Sequence, residues 1–242
     1  MFAIPKFTLL VGASLFCSFS AAVTSPDSCQ LVNPFCAPSG FNIEYYRNYL
    51  GNYSEGNFPS SYYITEGLKP LVSSYTNRTF FPQNQAPTPA VCYPPVTVLP
   101  QDGPYFVGWT RTTNGNIIVD ANNFTLVYSG YYRAPATGTY NLCSSADNRN
   151  EIYMGDGNAF DCLDGDVSPS AVPLAFSNGA NLNNPVNCTQ VDLVEGRNYP
   201  VRNVMGNSQG PSAFNFTITG PGSSATYDFD GYAYPRECGI FI

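Results

Sequence analysis

Apolar and polar positions alternate in several short segments of the chain, which is the pattern of strands with one buried face. Residues 41–46 (FNIEYY) alternate in this way, and residues 124–128 (FTLVY) and 139–144 (TYNLCS) predict two further strands. The Pro- and Gly-containing segment 134–138 (APATG) predicts the turn before the third of these. Residues 152–154 (IYM) begin another strand after an intervening loop.

A strand predicted near the end of the sequence shows most clearly which side chains are buried and which point outward. Phe214, Phe216 and Ile218 share one face of a strand, which turns Asn215 and Thr217 outward. Those two residues belong to an Asn-X-Thr sequence, a glycosylation acceptor that has to be accessible. The hydrophobic pattern and the glycosylation motif therefore predict the same outward face.

Prolines and glycines separate the predicted strands. Residues 81–104 contain seven prolines, which predicts a long surface loop instead of a central strand. No segment of useful length has the helical period, and no composition break divides the chain. These observations predict an all-β sandwich or barrel in a single domain.

The first residues indicate the compartment. Lys6 precedes an apolar run at 7–17, and small residues follow at 20–22, as in a secretory signal peptide. The run is short for a membrane span, and no later stretch is apolar enough to insert into a bilayer. We therefore expect a signal peptide at 1–22, one domain at 23–242, and a protein that is secreted, extracellular or cell-wall associated.

The composition excludes several classes of function. The chain has 242 residues, a net charge of -7 and no histidine. The negative charge argues against nucleic acid or an anionic membrane as a partner. The lack of histidine removes Ser-His and Cys-His nucleophiles, histidine general bases and imidazole zinc sites.

Seven cysteines follow the signal peptide, and an oxidising compartment makes them disulfide partners. An odd number leaves one that is free, bonded between chains, or lacking its partner in this sequence. Because chain termini often approach each other, Cys238 is predicted to bond to Cys29 or Cys36. Cys143 is predicted to bond to Cys162 or Cys188. The full set is Cys29, Cys36, Cys92, Cys143, Cys162, Cys188 and Cys238.

Five Asn-X-Ser/Thr sequences together with a signal peptide predict a glycosylated exterior. The acceptors are Asn52, Asn77, Asn123, Asn187 and Asn215.

Acidic and amide side chains cluster between residues 147 and 166. Oxygen-rich loops suit a hard cation such as calcium, although Asp, Asn and Gly are also the ordinary residues of turns. The spacing is not that of an EF-hand. A glycosidase would need two of these carboxylates as an acid and base pair, but solvated Gly- and Asn-rich loops do not raise a carboxyl pKa. The set includes Asp147, Glu151, Asp156, Asp161, Asp164 and Asp166.

Five segments, in the same order, resemble the yeast flocculin and GLEYA adhesin domains. They are residues 40–50 (GFNIEYYRNYL), 124–140 (FTLVYSGYYRAPATGTY), 144–156 (SSADNRNEIYMGD), 199–207 (YPVRNVMGN) and 229–234 (FDGYAY). The resemblance implies a β-sandwich/barrel of the protective-antigen-type lectin domain, with long disulfide-tethered loops. It also implies that terminal sugars are bound through calcium.

In this family two adjacent acidic residues, joined by a cis peptide, hold the calcium ion from one loop. Mapped onto this sequence, the pair is Asp147 and Asn148, and a neighbouring loop supplies Asn207 and the backbone carbonyls of residues 208–211. Ser208 and Gln209 would meet the sugar, and Gln209 would also contribute to the metal site. Trp109, the single tryptophan, is a candidate for stacking on a sugar ring, with core packing as the alternative.

The sequence departs from the family pattern at two points. Asn148 replaces the second acidic residue, which removes one negative charge, and the second loop is short and lacks an aromatic residue. The leading hypothesis is a calcium-dependent lectin or adhesin domain that binds terminal sugars of cell-surface or wall glycans, without catalysis. The alternatives are a structural cell-wall interaction domain with a degenerate sugar site and, third, a glycoside hydrolase.

Overall fold

The computed structural model describes residues 23–31, 33, 35–47, 53–54, 56–82, 88–89, 109–180, 183–208 and 212–239. Its strands are β1 Phe41–Arg47, β2 Val72–Thr76, β3 Phe80–Phe81, β4 Thr88–Pro89, β5 Trp109–Thr112, β6 Ile118–Asp120, β7 Asn123–Arg133, β8 Gly138–Met154, β9 Ala175–Gly179, β10 Val186–Leu193, β11 Asn198–Ser208, β12 Ala213–Thr219 and β13 Ala233–Pro235. The helical elements are α1, Tyr62–Thr65, and two 3-10 turns at Asn114–Asn116 and Arg236–Cys238.

The strands pair antiparallel in one large curled sheet and one small one. The large sheet has the order β2-β1-β7-β11-β8-β12-β3, with β9 and β10 also on β8 and β13 on β7. The small sheet has the order β4-β5-β6. Strand β8 belongs to both layers of the fold: up to Asp147 it pairs with β10 and β12, and from Asn148 it pairs with β9 and β11.

The main core lies between these layers and takes every second side chain of the long strands. Phe214, Phe216 and Ile218 of β12 are all buried in it, as their spacing predicts. Phe41 and Ile43 of β1 are buried in the same cluster. The all-β prediction and the inward faces of these two strands are therefore confirmed.

A second apolar layer covers the outer face of β7 and β11. Tyr53 packs on Gly206, where a Cβ atom would lie only 2.5 Å from Tyr53 Cδ1, so a side chain at this position would displace the ring. Tyr53 also donates a hydrogen bond to the Val204 carbonyl at 3.0 Å. Tyr63 of α1 accepts one from Thr125 Oγ1 at 3.0 Å. The segment that contains Tyr53 and Tyr63 therefore covers several outward side chains of β7, which would otherwise face solvent.

The loop predicted between residues 144 and 152 is not present. Strand β8 runs without interruption over Gly138–Met154, so Asp147, Asn148 and Asn150 are strand residues. Their composition is typical of a turn, but β11, β12 and β9 pair with this part of β8, and ladder hydrogen bonds override the local preference. The strand predicted at 124–128 is likewise longer and runs from Asn123 to Arg133.

Three disulfides are formed among the described residues. Cys36 bonds to Cys238 and Cys143 bonds to Cys188, so one of the two predicted alternatives is confirmed in each case. Cys162 bonds to Cys29, which rules it out as the partner of Cys143. The N-terminal segment is thus fastened at two points, to the loop after β8 and to the C-terminal 3-10 turn. Cys92 lies outside the described residues.

Most of the proline-rich segment 81–104 also lies outside the described residues, as do residues 1–22. Within the described part of the chain, no helix combines the length and apolar character needed to cross a membrane.

Candidate calcium and sugar site

The site lies where β8 passes from one layer of the fold to the other. Asp147 pairs with Ala213 of β12, and Asn148 pairs with Gly179 of β9. The peptide bond between Asp147 and Asn148 is cis, as the resemblance implies. Asp147 is 2% exposed and Asn148 is half-buried.

The second segment of the site joins the first through a direct hydrogen bond. Strand β11 ends at Asn207 and Ser208, and the backbone N–H of Ser208 donates to Asn148 Oδ1 at 2.6 Å. Asn148 Nδ2 in turn donates to Asp147 Oδ1 at 3.1 Å. Although about sixty positions separate the two segments, the fold brings them together as the family pattern requires.

Asn207 is fully buried, and its amide has a fixed orientation. Its Nδ2 donates to the carbonyl oxygens of Asn122 at 3.2 Å and Ala121 at 3.4 Å. The 120–122 segment is itself held by the carboxylate of Asp120, which accepts from the backbone N–H of Asn122 at 2.9 Å. Because Nδ2 of Asn207 is held by these two carbonyl oxygens, its Oδ1 points away from residues 121–122.

The chemistry of this group suits a hard cation. Asp147 offers a carboxylate, and Asn207 and Asn148 offer amide oxygens, which are the ligand types that calcium prefers. The neighbouring guanidinium of Arg149 is paired with Glu151 at 2.6 Å. The residues therefore fit a calcium ion by donor type.

The other acidic residues of the 147–166 stretch have a different role. Asp156 accepts from the N–H of Cys162 at 2.8 Å, Asp161 from Leu163 at 2.7 Å, and Asp164 from Asp166 at 2.8 Å. These are turn contacts of Asp side chains to nearby backbone. Asp156 lies close to the sulfurs of Cys29 and Cys162, but those two form a disulfide and do not provide thiolate ligands.

The five glycosylation acceptors differ in accessibility. Asn187 is exposed, Asn77 and Asn215 are half-buried, and Asn52 lies outside the described residues. Asn123 is 1% exposed and Thr125 of its sequence is fully buried, where its hydroxyl donates to Tyr63. The glycan at Asn123 stays a prediction, at a position that the folded domain covers.

Two predicted sugar contacts stay predictions. Gln209 lies outside the described residues. Trp109 is the first residue of β5, but the position of its side chain is not among the described features.

No sequence pattern indicates that Arg111 supports the second loop. Its Nη1 donates to the carbonyl of Ser212 at 2.8 Å, and its Nη2 donates to the carbonyl of Pro82 at 2.8 Å. The guanidinium lies over the ring of Phe81, 4.5 Å from its centre. Burial lowers the pKa of Arg111 to about 10. Arg111 thus fixes the point where the chain enters β12, about a hundred residues away in sequence.

The fold is that of the curled all-β domains of PA14-like lectins. Residues 124–220 match the family model described as the GLEYA domain. The match covers the strands that supply Asp147, Asn148 and Asn207. A search of curated proteins finds no match.

Solved structures have a similar fold. The Epithelial Adhesin 9 A domain from Candida glabrata, in complex with Galb1-4GlcNAc, is similar with a TM-score of 0.64 and 25% identity over 90% of this chain and 99% of that one. The Epithelial Adhesin 6 A domain from the same organism, in complex with Galb1-3GlcNAc, has a TM-score of 0.64 and 20% identity over 89% and 95%. A PA14 sugar-binding domain from an RTX adhesin has a TM-score of 0.50 and 12% identity over 82% and 99%.

Proposed function

We propose that this chain is a secreted, non-catalytic lectin domain that binds terminal sugars of glycans through calcium. The observation that carries the proposal is the hydrogen bond from the Ser208 N–H to Asn148 Oδ1, which joins the Asp147–Asn148 pair to the end of β11. The solved adhesin domains of similar fold, which hold galactose-containing disaccharides, support it. Residues 1–22 would direct secretion, and residues 23–242 would form the binding domain.

The chain's own residues have distinct tasks in this proposal. Asp147 supplies the negative charge of the site from a buried position, where a charge interacts strongly. Asn207 presents its amide oxygen in the orientation that the 121–122 carbonyls hold. When bound, calcium accepts about 6–8 oxygen ligands, so positions that the protein does not fill can take vicinal hydroxyls of a sugar.

Sugar preference would depend on the second loop. Ser208 and Gln209 would meet the hydroxyl groups that differ between sugars, and Arg111 holds the far end of this loop at Ser212. Changes at Ser208 or Gln209 should therefore alter which sugar binds.

The test is calorimetry of calcium and glycan binding to the Asp147→Ala variant. Loss of the only full negative charge in the group should abolish calcium binding, and sugar binding with it, while thermal melting shows that the fold survives. Asp192→Ala is the matched control, because Asp192 is an exposed carboxylate that accepts from Thr139. Sugar binding that persists in Asp147→Ala, or in the unchanged protein under excess chelator, would disprove the calcium mechanism.

A second function is a structural wall domain whose sugar site has degenerated. The presence of Asn148 favours it, because the amide removes a charge and its oxygen already accepts from Ser208. A glycan array probed with and without chelator separates the two functions. Binding that is lost with chelator supports the lectin, and no binding under either condition supports the structural domain.

A further inference from the structure

A cavity of about 330 Å³ lies on the outer face of β8 and β11, apart from the calcium group. Arg149, Glu151 and Tyr153 alternate along β8 and so point to the same face. Arg202 of β11 pairs with Tyr153 in the sheet. Ser60 and Ser61, just before α1, close the other side. None of Asp147, Asn148, Asn207 and Ser208 lines this cavity.

Arg202 is the unusual residue of this cavity, because its charged side chain is fully buried. Its Nε donates to the Ala159 carbonyl at 2.8 Å and its Nη1 donates to Ser60 Oγ at 3.2 Å. The guanidinium carbon lies 3.9 Å from the centre of the Tyr153 ring. These partners are neutral, and Nη2 of Arg202 has no hydrogen-bond partner among the described residues. A buried guanidinium is costly unless an anion balances it.

The nearby carboxylate of Glu151 attracts Arg202 through space, but its hydrogen bonds go to other groups. Glu151 accepts two hydrogen bonds from Arg149, at 2.6 Å and 3.0 Å, and a short one from Tyr153 Oη. The charged groups lining the cavity are Arg149, Arg202 and Glu151, which sum to one net positive charge. Desolvation lowers the pKa of Arg202 from its ordinary value, but a guanidinium stays protonated at neutral pH.

Ser61 adds a second unused donor. Its Oγ is buried, does not cap α1, and has no hydrogen-bond partner among the described residues. Arg149 lies over the ring of Phe176, 5.0 Å from its centre, and Pro59, Pro169 and Pro173 also line the cavity. The lining thus combines positively charged donors with apolar side chains.

We propose that this cavity binds a small oxyanion, the carboxylate or phosphate group of an anionic sugar, between Arg202, Ser61 and Arg149. Its volume is at the lower end of the range for small-molecule sites, which suits a single sugar unit. Charge-assisted hydrogen bonds from guanidinium groups favour carboxylate and phosphate oxygens. The ring of Phe176 offers a surface for the sugar. This site is independent of calcium and goes beyond the proposed lectin function.

The first experiment is calorimetry on the full chain with chelator present and ionic strength held constant. The probes are glucuronate, glucose 6-phosphate and neutral glucose. We expect at least one anionic sugar to bind and glucose to give no heat. The anionic sugar that binds more tightly shows whether the cavity prefers a carboxylate or a phosphate. If neither anion binds more tightly than glucose, the site does not exist.

Variants localise the binding. Arg149→Gln should weaken the anion about tenfold, because it removes one charged donor. Ser61→Ala should weaken it about fivefold and should not lower the melting temperature, since this hydroxyl makes no hydrogen bond with any residue that the structure describes. Arg78→Gln, in the exposed pair with Asp228, is the charge-matched control and should bind as the unchanged protein does. Equal binding by all three variants would place the anion elsewhere and overturn the proposal.

Discussion

At position 148 an amide stands where the family pattern has a carboxylate, and the surrounding contacts determine what the exchange does. Asn148 Nδ2 donates to Asp147 at 3.1 Å, and its Oδ1 accepts from Ser208. An aspartate would keep the second contact and lose the first. It would place two carboxylates side by side, which repel each other unless a cation lies between them.

Asn148→Asp should therefore have opposite effects with and without calcium. With chelator, the free energy of unfolding should fall by about 1 kcal/mol, and the melting temperature should fall with it, because two like charges meet in a partly buried place. With saturating calcium the melting temperature should rise above that of the unchanged protein, and calcium should bind roughly tenfold more tightly through the added ligand charge. Thermal melts in both conditions measure this. A variant that melts at the same temperature in chelator and in calcium would contradict the site assignment.

Asn123 leads to a second prediction at the residue scale. Its side chain is 1% exposed, and Thr125 of the same acceptor sequence is fully buried against Tyr63, which leaves no room for a glycan in the folded domain. Asn123→Gln should leave the mass of the secreted protein's glycans unchanged. Asn187→Gln, at an exposed acceptor, should remove one glycan. Intact mass spectrometry compares the two, and loss of a glycan in Asn123→Gln would show that this part of β7 is exposed in the secreted protein.

At the scale of elements, one disulfide fastens an irregular segment and another joins two strands that are already paired. Cys36 and Cys238 are 202 positions apart and hold the irregular N-terminal segment to the last turn. Cys143 and Cys188 are 45 positions apart and join β8 to the edge strand β10. In the chain-entropy model the longer loop contributes more stability, because its closure restricts the unfolded chain more.

Paired Cys→Ser variants test this ordering. Removing Cys36–Cys238 should lower the free energy of unfolding by roughly 2–5 kcal/mol. Removing Cys143–Cys188 should cost about 1 kcal/mol less, since the loop is shorter and the two strands remain hydrogen-bonded. Urea denaturation of the two variants gives both values. The reverse order would show that native-state contacts, and not loop closure, determine the stabilisation.

At the scale of the whole molecule, buried tyrosines determine how stability changes at alkaline pH. The chain has no histidine and 18 tyrosines. Burial raises the pKa of Tyr63 and of Tyr131 to about 12. Burial also raises the pKa of Tyr53 and Tyr128. The folded state therefore retains protons on these tyrosines at a pH where the unfolded chain has lost them.

The sign of the effect follows from proton binding. Below about pH 10, the ordinary tyrosine pKa, both states are protonated and the stabilisation is fully present. Above it, each tyrosine that ionises only in the unfolded state lowers stability by about 1.4 kcal/mol per pH unit, until the folded pKa is passed. Melting temperatures should therefore vary little between about pH 6 and pH 9, where no imidazole titrates, and fall steeply above about pH 10. A marked change near pH 6.5, or none above pH 10, would contradict this picture.

The sequence by itself determined the features that depend on neighbouring residues. The period of two along β1 and β12 identifies their buried faces, because successive side chains of a strand point to opposite sides wherever the strand lies. The prolines, glycines and aromatic residues predict an all-β domain for the same local reason. Asp147, Asn148 and Asn207 came from the resemblance, which carries information about tertiary structure that the pattern alone lacks.

Only the tertiary structure decided the rest, since each feature depends on contacts between distant parts of the chain. Strand β8 continues through a turn-like composition because β9, β11 and β12 pair with it there. The Cys29–Cys162 bond and the Arg111 contact to Ser212 join positions about a hundred or more residues apart. The charged cavity around Arg202 is closed by Ser60 and Ser61 of the segment before α1, about 140 positions away in sequence. Sequence spacing does not encode such contacts, because only the folded sheet determines which distant side chains lie next to one another.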